Sequence, residues 1–129
     1  MSYAISVRLH RPYGEAVEQV RAVLKVQGFG VLTEIDVRAT LREKLGETMD
    51  DYLILGACNP RLAHRALGVD QRIGPLLPCN VVVRADGDDT VVEALDPQVM
   101  VSVSDRPDLE PVADEVAERL ATALRRLDA

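Results

Sequence analysis

Two rhythms of apolar residues run along the chain, and the switches between them predict its elements. Residues 3–10, YAISVRLH, carry Ile5, Val7 and Leu9 at every second position and read as a strand. Pro12 then opens a helix at a position where the missing N–H is harmless. Ala16, Val17, Val20, Val23 and Leu24 recur at helical spacing, and Gly28 ends that helix. A second strand follows over residues 29–37, FGVLTEIDV, with Val31, Thr33 and Ile35 on one side and Leu32, Glu34 and Asp36 on the other. Residues 38–45 form a short amphipathic helix closed by Gly46. The run YLILGA at 52–57 is apolar throughout and predicts a strand buried on both faces.

Asn59 caps the next short helix, RLAHRAL at 61–67, which Gly68 closes. GPLLP at 74–78 reads as a rigid loop. Residues 80–85 form a strand, Asp86-Gly87 marks a hairpin turn, and residues 90–95 return. Between Asp96 and Asp105 two readings stand: Val99, Val101 and Val103 alternate as in a strand, while Asp96-Pro97 suits the start of a helical turn. The last helix is the clearest element. Asp108 caps it, Pro111 lies in its first turn, and Val112, Val116, Leu120, Leu124 and Leu127 make one stripe. Arg125 and Arg126 suit the negative end of its dipole.

This order predicts an α+β fold: a single mostly antiparallel sheet with the two long helices packed on one face. No repeat, low-complexity tract or linker divides residues 1–129, so one domain is expected. Leu53-Ile54-Leu55 and Val81-Val82-Val83 place apolar side chains on both faces of the sheet. Two helices cover only one of them, so the open face predicts a homodimer.

Composition narrows the function classes. Hydrophobic residues make up 47% of 129 and charged residues 28%, which fits a globular chain. Aromatic residues are only 3%, with no Trp, so stacking platforms for bases are scarce. The formal net charge of −6 opposes a nucleic-acid partner and an anionic membrane surface. The opening MSYAISVRLHRPYGE lacks a signal-peptide pattern, and no stretch of eighteen apolar residues occurs, so a cytoplasmic location is expected. A reducing compartment disfavours a standing Cys58–Cys79 disulfide.

Several strings together carry a resemblance: GFGVLTEIDV at 28–37, ILGACNP at 54–60, AHRAL at 63–67, IGPLLPCNVVV at 73–83 and ALDP at 94–97. In that order and spacing the chain resembles the bacterial and archaeal family catalogued as domain of unknown function 302. The resemblance spans nearly the whole chain. It implies a TATA-binding-protein-like α+β arrangement, a curved antiparallel sheet backed by helices, and it does not imply DNA binding. It implies no catalytic residue, because the family's activity is not established. Glu34, Asp36, Cys58, Asn59, Pro60, Pro78, Cys79 and Asn80 match the family's recurrent motifs.

The candidate chemistry gathers around two thiols. Cys58 leaves one strand and Cys79 enters another, so antiparallel pairing brings both to one end of the sheet. With His64 they form a soft ligand set for zinc or copper, and as a pair they suit a thiol–disulfide cycle. Their spacing matches no standard zinc or redox motif, and a free Cys most often behaves as a small buried hydrophobe. Arg61, His64 and Arg65, with Arg72 nearby, form the one locally basic stretch, at a helix start that suits a small anion. The plainer reading is a solvated helix face. Glu34 and Asp36 share a strand face about 7 Å apart, a pair able to hold a hard cation or to form the wet side of a strand. Asp50, Asp51, Asp86, Asp88 and Asp89 read as turn residues, and His10 carries no role. There is no GxGxxG, Walker loop, HExxH or GxSxG.

The sequence leaves cofactor and metal unidentified. The leading expectation is a non-catalytic, homodimeric module that binds a small ligand among Cys58, Asn59, Arg61, His64, Arg65, Cys79 and Asn80. The rival is a thiol-dependent redox or metal- or sulfur-handling protein using Cys58 and Cys79. A structural interaction domain is the third reading.

Overall fold

The computed structural model describes residues 2–127. The chain runs β1 (Ala4–Leu9), α1 (Tyr13–Val26), β2 (Gly30–Asp36), α2 (Val37–Leu45), β3 (Tyr52–Cys58) and α3 (Pro60–Val69). A 3₁₀ segment at Gln71–Leu76 leads into β4 (Cys79–Asp86) and β5 (Asp89–Leu95). Then come α4 (Gln98–Ser104), a 3₁₀ turn at Pro107–Leu109, and α5 (Glu110–Leu127). The five strands form one sheet in the order β1-β5-β4-β3-β2, antiparallel at every junction.

Side-chain alternation explains which face is covered. Leu53, Leu55 and Ala57 of β3 register with Val83, Val81 and Cys79 of β4, and Val83 and Val81 with Val92 and Ala94 of β5. All are buried. Against them lie α1, through Ala16, Val17, Val20 and Leu24, and α5, through Val112, Val116, Leu120, Leu124 and Leu127. Both stripes fall where the 3.6-residue period puts them, and the two helices also pack on each other.

The outer face is less apolar than the runs at 53–55 and 81–83 suggest. Ile35, Ile54 and Val82 form one row across three strands, and the row continues into Glu93 and Ser6. Ile54 and Val82 are half-buried, and Arg84 pairs with Glu93 at 2.7 Å beside them. β3 is therefore fully buried on its helix side only.

Several local expectations need correction. The single alternation expected over β2 is broken by a bulge: Val31 registers with Ala57, but Thr33 registers with Gly56, leaving Leu32 as the extra residue. Val31 thus turns to the core side while Thr33 and Ile35 face outward. The Thr33 hydroxyl sits over Gly56 so closely that a Cβ there would lie 2.1 Å from its oxygen. Gly68 does not close α3; the helix runs to Val69 and Asp70 is its C-terminal cap. The loop expected over 74–78 is in part the 3₁₀ segment, followed by a cis Leu77–Pro78 bond. Of the two readings of residues 96–105, the helical one holds: Asp96 Oδ1 accepts from the Gln98 N–H at 3.0 Å and starts α4. Met100 is buried there and Val103 is 65% exposed, so the valine alternation had no sheet behind it. Asp108 does not cap α5; it lies in the 3₁₀ turn whose backbone leads directly into the helix.

Among the described residues no helix is long and apolar enough to cross a membrane.

Candidate functional site

The end of the sheet where β3 leaves and β4 enters is the centre of the candidate site. Ala57 and Cys79 are register partners there, both facing the helices, and Cys58 follows as the last residue of β3. The chain then turns at Asn59 into α3. The Asn59 Oδ1 accepts from the Leu62 N–H at 3.3 Å and its Nδ2 donates to the Gln27 carbonyl at 3.4 Å, so one side chain caps α3 and ties it to the end of α1. Gly28 makes room for this tie. Its φ is +86°, and a Cβ at that position would lie 2.9 Å from the Asn59 Nδ2.

Helix α3 buries Leu62 and Ala66 and has a different cleft on each flank. On the flank of Ala63 and Leu67 lies a cleft of about 350 Å³. Ala57, Cys58 and Cys79 line it from the sheet and Val112 and Val116 from α5, together with Met100 and Phe29. Leu77-Pro78 and the bulged Leu32 form the remaining wall. Leu32 and Leu67 are exposed, at 68% and 38%, which makes the mouth apolar too. Thr33, Asn59 and the two thiols are the only polar side chains of the lining.

Both cysteines are free. Burial, with a smaller contribution from neighbouring Cys58, pushes the Cys79 thiol up to about 11. Cys79 is therefore a protonated thiol at neutral pH, the opposite of what a reactive cysteine needs. Cys58 is half-buried and borders the cleft.

On the other flank Arg61 and Arg65 of α3 meet Glu115 and Arg119 of α5 around a more polar cleft of about 570 Å³. Arg65 donates to Glu115 at 3.0 Å, and Arg119 donates to Glu115 at 3.4 Å and to the Gln27 carbonyl at 3.3 Å.

Residues 5–127 match the family described as "Domain of unknown function DUF302". The chain belongs to the DUF302 family. It is similar to a crystal structure of an uncharacterized conserved DUF302 protein from Bacillus stearothermophilus, with 31% sequence identity and a TM-score of 0.92. The match covers 98% of this chain and 99% of that one. No curated protein matches. The expected family and fold class are thereby borne out, and the family carries no named function.

The DUF302 chain assembles only part of the residue set expected from sequence. Cys58, Asn59 and Cys79 share the apolar cleft. His64 does not join them: it is exposed on the side of α3 away from Leu62 and Ala66, so the three-residue metal set is not built. Among the described residues no group of three or more His, Cys, Asp or Glu is placed to hold a metal. Asn80 registers with Gly56 and is exposed on the outer face, not in the cleft. Glu34 and Asp36 are already engaged elsewhere. Glu34 pairs with Arg21 of α1, and Asp36 caps α2 by accepting from the Ala39 N–H at 2.9 Å. Asp86 and Asp89 are held by Arg8 at 2.5 and 3.2 Å, and Asp89 by His10 at 2.9 Å, which ties the β4–β5 turn to β1. These partners, His10 first and then Arg8, hold the Asp89 carboxyl below its usual range.

Sequence reasoning missed Leu32, Met100, Glu115 and Arg119. Nothing in the local pattern around Glu115 and Arg119 reports that α3 lies alongside α5. Leu32 was assigned by simple alternation, which a bulge defeats.

Proposed function

We propose that this chain is a non-catalytic binding module that takes a small, largely aliphatic molecule into the cleft beside Cys58, Ala63 and Leu67. The observation that supports it is the cleft itself, about 350 Å³ with a wall that is almost wholly hydrocarbon and open at an apolar mouth. Small-molecule sites occupy this size range and are built in this way, with few polar groups among apolar side chains. Asn59 is occupied by its cap and its tie to Gln27, so recognition rests on shape and burial. The raised Cys79 thiol weighs against the redox reading, which needs an accessible thiolate.

The test uses Nile red as an apolar probe and decanol as competitor. Saturable fluorescence enhancement is expected, reversed by decanol and lost in Ala63→Phe, which fills the cleft at a half-buried position. Alkylation of Cys58 by iodoacetamide slows when decanol is present. Enhancement that is unchanged in Ala63→Phe, or absent in the native protein, sinks the proposal. Self-association through the outer face belongs to the same proposal, supported by the Ile35, Ile54 and Val82 row. A monomer in sedimentation at micromolar concentration removes it.

A further inference from the structure

The two flanks of α3 ask for different chemistry, and the polar one is not explained by an apolar ligand. Arg61, Arg65 and Arg119 converge on one cleft from two helices that are far apart in sequence. Against three guanidinium groups the lining supplies one carboxylate, Glu115. The local balance is a double positive charge inside a chain whose net charge is −6. Gathering like charges is unfavourable unless something of opposite sign sits among them.

The arrangement is also ordered. Glu115 stands between two of the arginines, accepting from Arg65 on one oxygen and from Arg119 on the other. Arg119 is fixed a second time by the Gln27 carbonyl. Glu115 thus orients two guanidinium planes without using all their N–H groups, since each carries five. The Arg61 side chain makes no hydrogen bond or ion pair among the described residues, although it lines the same cleft. The positive region is small: Glu118 of α5 lies in the next depression beside Glu115 and Arg119. An extended polyanion would meet that carboxylate, whereas one compact group would not.

We infer that this cleft binds a single phosphoryl-type oxyanion, held by Arg61, Arg65 and Arg119 with Glu115 as the brace that positions two of them. A dianion matches the local charge, and a guanidinium fork matches the geometry of phosphate oxygens. The inference stands apart from the apolar cleft, with which this one shares only the Asn59 and Leu62 wall.

Nuclear magnetic resonance titration of the full chain tests it, with inorganic phosphate and phenyl phosphate as probes and chloride as the control at matched ionic strength. Saturable shifts are expected at the side-chain N–H signals of Arg61 and Arg119. Affinity for phenyl phosphate should rise as pH passes the second ionisation of the monoester, near pH 6. Arg61→Gln should weaken binding about tenfold while leaving the melting temperature unchanged, because Arg61 is exposed and its side chain has no partner among the described residues. Arg119→Lys, which keeps the charge but not the fork, should weaken it less than Arg119→Gln. Equal affinity for the two probes assigns the site to free phosphate, and tighter phenyl phosphate assigns it to a monoester. Shifts that chloride reproduces, or that survive Arg61→Gln at full strength, overturn the inference.

Discussion

The two sides of α3 start from the same ten residues and end in opposite environments. On one side Ala63 and Leu67 face Val112, Val116 and Met100, and nothing charged intrudes. On the other Arg61 and Arg65 face Glu115 and Arg119. Between them Leu62 and Ala66 are buried to 3% and 1% exposure. The difference teaches that a helix with one buried stripe still has two distinct borders. Each border takes its chemistry from whichever face of the neighbouring helix meets it. Here α5 presents its apolar stripe to one border and its Glu115–Arg119 pair to the other.

The largest way to break this contrast is to remove the wall. Leu62→Ala deletes a buried side chain that lines both clefts and should lower stability by about 2–5 kcal/mol in urea unfolding. It should also make Nile red and phosphate binding interfere with each other. A loss below about 1 kcal/mol would mean that Leu62 separates nothing.

The next test belongs to the apolar side alone. The folded-state pKa of Cys79 lies near 11 against an ordinary value of 9.0. Above pH 9 the unfolded chain releases that proton and the folded chain keeps it, so the unfolded state binds fewer protons and stability falls. The stabilisation is complete below pH 9 and is lost as pH climbs through 11, a change of ~3 kcal/mol at two pK units. Denaturation midpoints for the native chain should fall through this window more steeply than those for Cys79→Ala. Parallel slopes would show that the thiol is not shielded from water.

The smallest change falls on the link between the two sides. Asn59→Ala removes the α3 cap and the tie to Gln27, and should cost about 1 kcal/mol. Hydrogen exchange should then quicken at Leu62 and in the last turn of α1 together. Quickening at Leu62 alone would leave the cap but discard the tie.

Much of this architecture was readable along the chain because it depends on local periodicity. The stripe from Val112 to Leu127 becomes the buried face of α5, the Val81 and Val83 alternation becomes the covered face of β4, and Asn59 caps α3 as its side chain predicts. The convergence of Cys58 and Cys79 also followed, because antiparallel pairing of β3 and β4 brings a strand end beside a strand start. Where backbone geometry departs from the simple period, the pattern misleads. The Leu32 bulge puts Val31 and Thr33 on opposite sides of the sheet, and the valines of α4 alternate without any sheet.

The site divides along the same line. That Cys79 would be a buried, protonated thiol depends on which helices cover it, and α5 comes from the far end of the chain. That His64 and Asn80 stand apart from the thiols depends on the angle at which α3 leaves the sheet and on which way β4 turns its side chains. Arg119 joins Arg61 only because α5 lies beside α3. Periodicity tells each element which of its own sides is apolar. Contact between elements distant in sequence is set by packing the whole core at once, and no single stretch of residues contains that information.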